Sequence, residues 1–548
     1  MKKLYKFKDL RGLLLVINVI FALYFIVLPI INMLKYAFFY NGQFIGLYNF
    51  KKYMLNDKLY SSIVNSFKVS ISSSILAMIL AFLFVYGIKR TNIRLKRFFK
   101  CVPLILFSIP TLVHGIALIC IFGKKGIMNQ VFLNNIDIYG KYGIIICNVL
   151  YIFPVISSLL FVAFEVTDYR LYEVADMMGT KEIKKFFTIT LPSMKFTLVN
   201  AFFSAFTLVF TDFGAAKVIG GNYNLLSIDI YEQIIGKQNF SMGAVAGIIL
   251  MIPSFMFILI EYLIFKRKRF EELHGIKYTI KGNKVRDIFF QIYNLTILFI
   301  IIFEIVTIIF MSLVKSWPYN MSFTLDWYKV KSYGTSIGEI YFNTIFVSII
   351  TAIIGTIIVF IAAYLVERNK NNFILKKVNY FLYKIPLILP GLTLGLAYIL
   401  FFNNPNNPLN FIYGTFIIII IANIIHFFSI PFLNIISNLR NIDDKYECVS
   451  EILGIPWYIN MIKVIIPLSM TSIIETFLYY FLNSMITVSA IIFLYTSSTR
   501  VAAIEIVNKS DIGDLQAACA IALIIIFTNL VLRIFAEKIN SKYKNIER

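Results

Sequence analysis

The chain has 548 residues, of which 59% are hydrophobic and only 15% charged, with a mean hydropathy of +0.79. That balance excludes a soluble enzyme or binding module of three or four domains and indicates a polytopic membrane protein. A net charge of +23 raises nucleic acid as a partner, and only the placement of the charge can decide that question.

Apolar runs long enough to cross a hydrocarbon core of about 30 Å, which takes about 20 helical residues, recur along the whole chain. Twelve are read, at 13–35, 65–88, 102–122, 142–164, 194–217 and 243–265, then at 288–313, 341–366, 382–402, 411–436, 469–494 and 515–536. They are continuously apolar rather than alternating, which predicts an all-α bundle and not a barrel. The first run is too long for a cleavable signal peptide and lacks a small-residue cleavage site, so it is read as a retained anchor.

With the amino terminus in the cytoplasm, the inner loops are 1–12, 89–101, 165–193, 266–287, 367–381, 437–468 and the carboxyl tail. Counting flanking span ends, 37 of the 52 Lys and Arg then lie inside and 15 outside. This bias predicts a membrane protein with both termini cytoplasmic. It also makes anionic lipid, not nucleic acid, the partner of KRTNIRLKRFFK (89–100) and KRKR (266–269). The five cysteines and His114, His274 and His426 are scattered, with no metal-binding or disulfide spacing.

The chain reads as two copies of one unit. NSFKVSISSSILAMILAFLFVYGIKR from Asn65 matches NTIFVSIITAIIGTIIVFIAAYLVER from Asn343, with Asn, Val-Ser, Tyr and Arg in register. Pro110, Gly115 and Ala117 match Pro390, Gly395 and Ala397, and Gly179 and Pro192 match Gly454 and Pro467. Six spans per copy is an even number, so the copies run parallel, about a pseudo-two-fold axis along the membrane normal. The expected domains are 1–265 and 287–548, joined by the polar linker 266–286.

Two charged stretches interrupt the apolar pattern at equivalent places. EVADMMGTKEIKKFFTITLP (173–192) follows the fourth span, and ECVSEILGIPWYINMIKVIIP (447–467) follows the tenth. In the first, YRLYEVADMM suits an amphipathic helix that Gly179 breaks at low steric cost. A second short helix through KEIKKFF follows, and Pro192 stands where a missing N–H is tolerated.

Glu173, Val174 and Ala175, followed by Gly179, Ile189, Leu191 and Pro192 at this spacing, resemble the signature loop of the membrane subunits of bacterial ABC importers. The second copy keeps Gly454 and Pro467, but Cys448 holds the Glu position, with Glu447 one place earlier. The resemblance covers nearly the whole chain and is nearest to fused permeases of the ferric-iron and 2-aminoethylphosphonate importer group. It implies a type I importer permease fold, coupling helices seated on two copies of an ABC ATPase subunit, and an extracytoplasmic substrate-binding protein. ATP and magnesium belong to the ATPase, because this chain lacks G-x-x-x-x-G-K-[ST]. A secondary transporter with two six-span halves is the competing class; KRTNIRLKRFFK has neither the Gly nor the Asp-Arg expected there. A membrane enzyme would need a paired acid and base, a His cluster or a nucleophile motif, and the chain is read as a transport subunit with no catalytic residues.

Asn200, Ser204, Thr207 and Thr211 fall on one helical face, and Glu475, Tyr479, Asn483 and Thr487 continue along the matching face of the second copy. Polar groups inside a bilayer usually face a cavity, so these faces, with Asp212, are expected to line the route. The alternative is helix packing or bonding to their own backbone. The segment 212–245 looks like the aminoethylphosphonate type. Asp212, Lys217, Gly220-Gly221, Asp229 and Gln238-Asn239 would offer a zwitterionic aminophosphonate both donors and acceptors, so that substrate is the expectation, with ferric iron as the alternative.

Overall fold

The computed structural model describes residues 2–40, 43–132, 137–265, 278–280, 282–329, 331–332, 335–369 and 372–544. The basic run 266–269, His274 and most of the expected linker lie outside the described residues.

Among the described residues, nine helices are long and apolar enough to span a membrane: Leu10–Phe38, Asp57–Arg90, Thr111–Val131, Lys141–Glu165, Glu182–Thr211, Phe240–Ile260, Lys284–Leu313, Ile337–Arg368 and Leu515–Lys542. Counted as one span each, three bent pairs bring the number to twelve: Phe373–Leu387 with Gly391–Phe402, Phe416–His426 with Ser429–Asn441, and Trp457–Leu468 with Met470–Ile486. In chain order these are spans 1 to 12. The described strands form three short hairpins, of which Phe39–Phe44 follows span 1 and Val314–Phe323 follows span 7.

Spans 2 and 8, the best-matched part of the repeat, are the longest. Span 2 starts where the Asn56 side chain accepts from Leu59 N at 3.3 Å, and span 8 starts on a capping box between Ser336 and Glu339. Span 2 buries Ser62, Ser66, Ser70, Ser73 and Ser74, and span 8 buries Thr344, Ser348, Thr351, Gly355 and Thr356. Small side chains let helix backbones approach closely. A Cβ on Gly355 would lie 3.0 Å from the Tyr480 ring of span 11.

Several expected spans are broken. The run 102–122 divides into Lys96–Leu106 and a helix from Thr111, and 382–402 bends by 109°. Both breaks sit at the matched prolines Pro110 and Pro390, which take extended backbone before the next helix because proline has no N–H to continue the ladder. The run 194–217 ends as a helix at Thr211, with a separate turn of helix at Gly214–Ile219. The run 469–494 ends at Ile486, and residues 490–494 form buried non-helical turns.

One crossing recurs in both copies with its partners exchanged. A Cβ on Gly214 would meet Thr111 Oγ1 at 2.4 Å, and a Cβ on Gly391 would meet Ser489 Oγ at 2.2 Å. Thr111 corresponds to Gly391 in the repeat, and Gly214 to Ser489. Each crossing therefore needs one glycine, supplied from opposite sides.

The copies exchange their first spans. Span 1 lies on the second copy, where Tyr24 Oη donates to Asn407 Oδ1 at 2.8 Å, Asn32 Nδ2 to Leu400 O at 2.8 Å, and Tyr398 Oη to Phe25 O at 2.8 Å. Span 7 lies on the first copy, where Tyr293 Oη donates to Leu80 O at 2.9 Å and Glu304 meets His114 Nδ1 at 2.5 Å. Both members of that last pair are buried.

Candidate functional site

The two charged stretches fold alike. Arg170–Met177 and Lys445–Ile452 are helices of eight residues, too short to persist alone in water. Each ends on a glycine in the left-handed region, Gly179 at φ +68° and Gly454 at φ +65°. The turns close in the same way: Thr180 N donates to Ala175 O at 2.9 Å, and Ile455 N to Ser450 O at 2.8 Å. A four-residue helix and a π-turn follow in both, at Glu182–Lys185 then Phe186–Thr190, and at Trp457–Asn460 then Met461–Ile465. Pro192 and Pro467 occupy the first turn of the next helix.

Each loop presents an exposed apolar face. In the first it comprises Leu171, Val174, Met177, Met178, Ile183 and Phe187, with Met177 89% exposed; in the second, Val449, Ile452, Leu453 and Ile462, with Ile452 84% exposed. Val174, Met177, Met178 and Phe187 match the four second-copy residues in the repeat. Exposed Lys181, Lys184, Lys445 and Lys463 surround these faces. An apolar patch with a charged rim marks an interaction surface. Ala175 is buried, Ile189 and Leu191 are half-buried, and Glu173 is exposed.

Under each loop lies a buried arginine from the end of the preceding repeat helix, Arg90 or Arg368. These occupy the same repeat position, but their surroundings differ. Arg90 is enclosed by the rings of Phe164, Tyr172 and Tyr278, at 5.4, 5.3 and 3.9 Å from its Cζ. Arg368 pairs with Asp444 and, at 3.7 Å, with Glu447, and donates to Ile442 O at 2.6 Å. Tyr169 and Tyr172 of the first loop correspond to Asp444 and Glu447 of the second. Glu447, one place before the Glu position held by Cys448, takes the Tyr172 position and is buried against Arg368.

Other contacts tie the first loop down. Tyr172 Oη and Thr190 Oγ1 are 2.8 Å apart, and Lys185 bonds Asp176 and, at 2.8 Å, Glu182. Burial pushes the Tyr278 hydroxyl up to about 12, so this ring stays a neutral phenol.

Along the expected route, Asn200, Ser204, Thr207 and Thr211 are half-buried and Glu475 is exposed. Thr211 Oγ1 donates to Thr207 O at 2.9 Å, Asn483 Nδ2 to Tyr479 O at 2.7 Å, and Thr487 Oγ1 to Asn483 O at 2.6 Å. These three satisfy themselves on their own helices. At the end of span 5 remote from the loops, Asp212 Oδ2 accepts from Ala215 N at 2.8 Å, and Asp229 accepts from Tyr53 Oη at 3.0 Å and from Ser62. Lys217 forms an ion pair with Asp511 of the other copy at 2.9 Å and lies over the Tyr231 ring. Asp212, Lys217 and Asp229 thus each have a partner within the protein. Among the described residues, no three His, Cys, Asp or Glu side chains converge as a metal site.

The arginine anchors and the His114–Glu304 pair were not singled out from sequence. Their signals were an Arg at the same place in both copies, and a lone His and Glu within apolar runs.

The family described as binding-protein-dependent transport system inner membrane component matches residues 73–271 and again 355–545. A ferric transport system permease protein of Actinobacillus pleuropneumoniae is 25% identical, covering 96% of this chain and 77% of that protein. A Haemophilus influenzae protein, provisionally named as a ferric transport system permease, is 27% identical over 90% of this chain and 79% of its own length. A provisionally named sulfate transport system permease of Prototheca wickerhamii is 25% identical over 35% of this chain and 78% of its own length. With the family matched once in each copy, on a multi-spanning all-α bundle, the chain belongs to the binding-protein-dependent transport system inner membrane components, the non-catalytic permease subunits of ABC importers.

Proposed function

We propose that this chain forms the whole membrane route of an ATP-driven importer in a bacterial inner membrane, with both termini cytoplasmic. Its two parallel six-span copies, 1–265 and 287–548, do the work of two permease subunits in a type I arrangement. Two ATPase subunits seat on 168–192 and 443–467, and a binding protein delivers cargo to the opposite face. The observation that carries this reading is the pair of matching loops, each with an exposed apolar face held on a buried arginine. A lever must be rigid to transmit nucleotide-driven closure, and the left-handed glycine turns and buried anchors supply that rigidity.

For cargo, ferric iron is favoured over 2-aminoethylphosphonate. The two relatives named for ferric transport cover nine-tenths or more of this chain, and three of the groups expected to recognise an aminophosphonate, Asp212, Lys217 and Asp229, are paired internally. Uptake of labelled ferric iron and of labelled 2-aminoethylphosphonate should be compared in cells with and without the chain and its partner subunits. Chain-dependent iron uptake is expected; chain-dependent phosphonate uptake without iron uptake would reverse the assignment.

A further inference from the structure

Arg90 is 3% exposed, and its Nε and Nη2 have no hydrogen-bond partner among the described residues. A buried guanidinium in that condition must be stabilised by something else, and three aromatic rings surround it. Two of them, Phe164 and Tyr172, belong to the first copy's own fourth span and loop. The nearest, Tyr278 at 3.9 Å, comes from the segment between the two copies. It also packs edge-on against Tyr169 at 5.2 Å and Tyr172 at 5.0 Å, so one ring touches the arginine and both tyrosines of the loop. The second loop is built differently: Arg368 is held by Asp444 and Glu447.

We propose that Tyr278 is a positioning residue for the first ATPase-docking loop, a ring supplied by the inter-copy segment that closes an aromatic cage on Arg90. The two levers are then held by different chemistry. The first depends on stacking contributed from outside its own copy, and the second on ion pairing within its copy. Joining the copies on one chain thereby does more than tether them, because the junction sets the orientation of one lever. The contact geometry at Tyr278 stands on its own; its meaning for transport rests on the docking role proposed above.

The test uses the full chain in lipid nanodiscs and, in parallel, reconstituted with its ATPase subunits and binding protein. Amide exchange over 170–178 should rise about tenfold in Tyr278→Ala, the order expected when a desolvated cation loses its nearest ring. Tyr278→Phe should restore the protection, since it keeps the ring, and exchange over 445–452 should be unchanged in both variants. Unchanged exchange in Tyr278→Ala, or equal loosening of both loops, would overturn the cage. If exchange rises over 170–178 alone, the ratio of ATP hydrolysed to substrate transported should rise as well. A normal ratio in that case would leave the cage standing and overturn the docking role of the loop.

Discussion

Replacing Gly179 with valine should weaken the first lever through backbone strain alone. Its φ of +68° lies in the left-handed region, and a Cβ built there meets no atom within 4 Å. Steric crowding therefore contributes nothing, and the penalty is the intrinsic one for an L residue, roughly 1–2 kcal/mol, toward the upper end for a β-branched side chain. At about 1.4 kcal/mol per tenfold, the population of the closed turn should fall by about 5- to 30-fold relative to alternatives lacking the Thr180 N to Ala175 O bond. Gly179→Asn is the control, because asparagine tolerates this region. The assay is ATP consumed per substrate imported in proteoliposomes, with membrane-inserted protein quantified for each variant. Valine should raise the ratio and asparagine leave it near wild type; equal ratios for the two would refute the lever argument. The second loop departs from the motif at Cys448. Gly454 has the same handedness and equally open surroundings, so the backbone predicts equal sensitivity there.

Glu447→Gln should loosen the second loop selectively, because among the described residues it leaves buried Arg368 with the exposed Asp444 alone as an ionic partner; breaking a buried pair costs up to about 3–5 kcal/mol. Faster exchange over 445–452 with 170–178 unchanged is the expected result, and loosening of both would contradict it. Lys217 and Asp511 join the copies at the end remote from the loops. Asp511→Asn should change stability by less than about 1 kcal/mol, since that carboxylate is half exposed to screening, while a cysteine pair at the two positions should cross-link without nucleotide and fail to do so with ATP trapped. Cysteines at Asn200, Ser204 and Glu475 should react with aqueous thiol reagents, whereas one at buried Thr487 should not; silence at all four would assign these faces to packing.

Hydropathy is a local property, so the apolar runs, the two-copy register and the paired loops were legible from residues alone, while the breaks within several runs were not. The loop glycines were legible too, because the spacing from Gly179 to Pro192 and from Gly454 to Pro467 is set within about a dozen residues. What the span ends do was not, since a helix stop such as Ile486 depends on whether the following backbone finds partners elsewhere in the fold. The exchange of spans 1 and 7 was equally hidden, because apolar helix faces are nearly interchangeable by composition and only the fit of Tyr24, Asn32 and Tyr293 to distant partners selects a neighbour. The anchoring of the loops shows the division most sharply. Sequence placed Arg90 and Arg368 at one repeat position, while tertiary structure decided that a ring 188 residues downstream covers the first and that Glu447 turns inward to the second. A buried charge must be compensated, but which of several tyrosines or carboxylates does so is set by three-dimensional proximity, which no local pattern records.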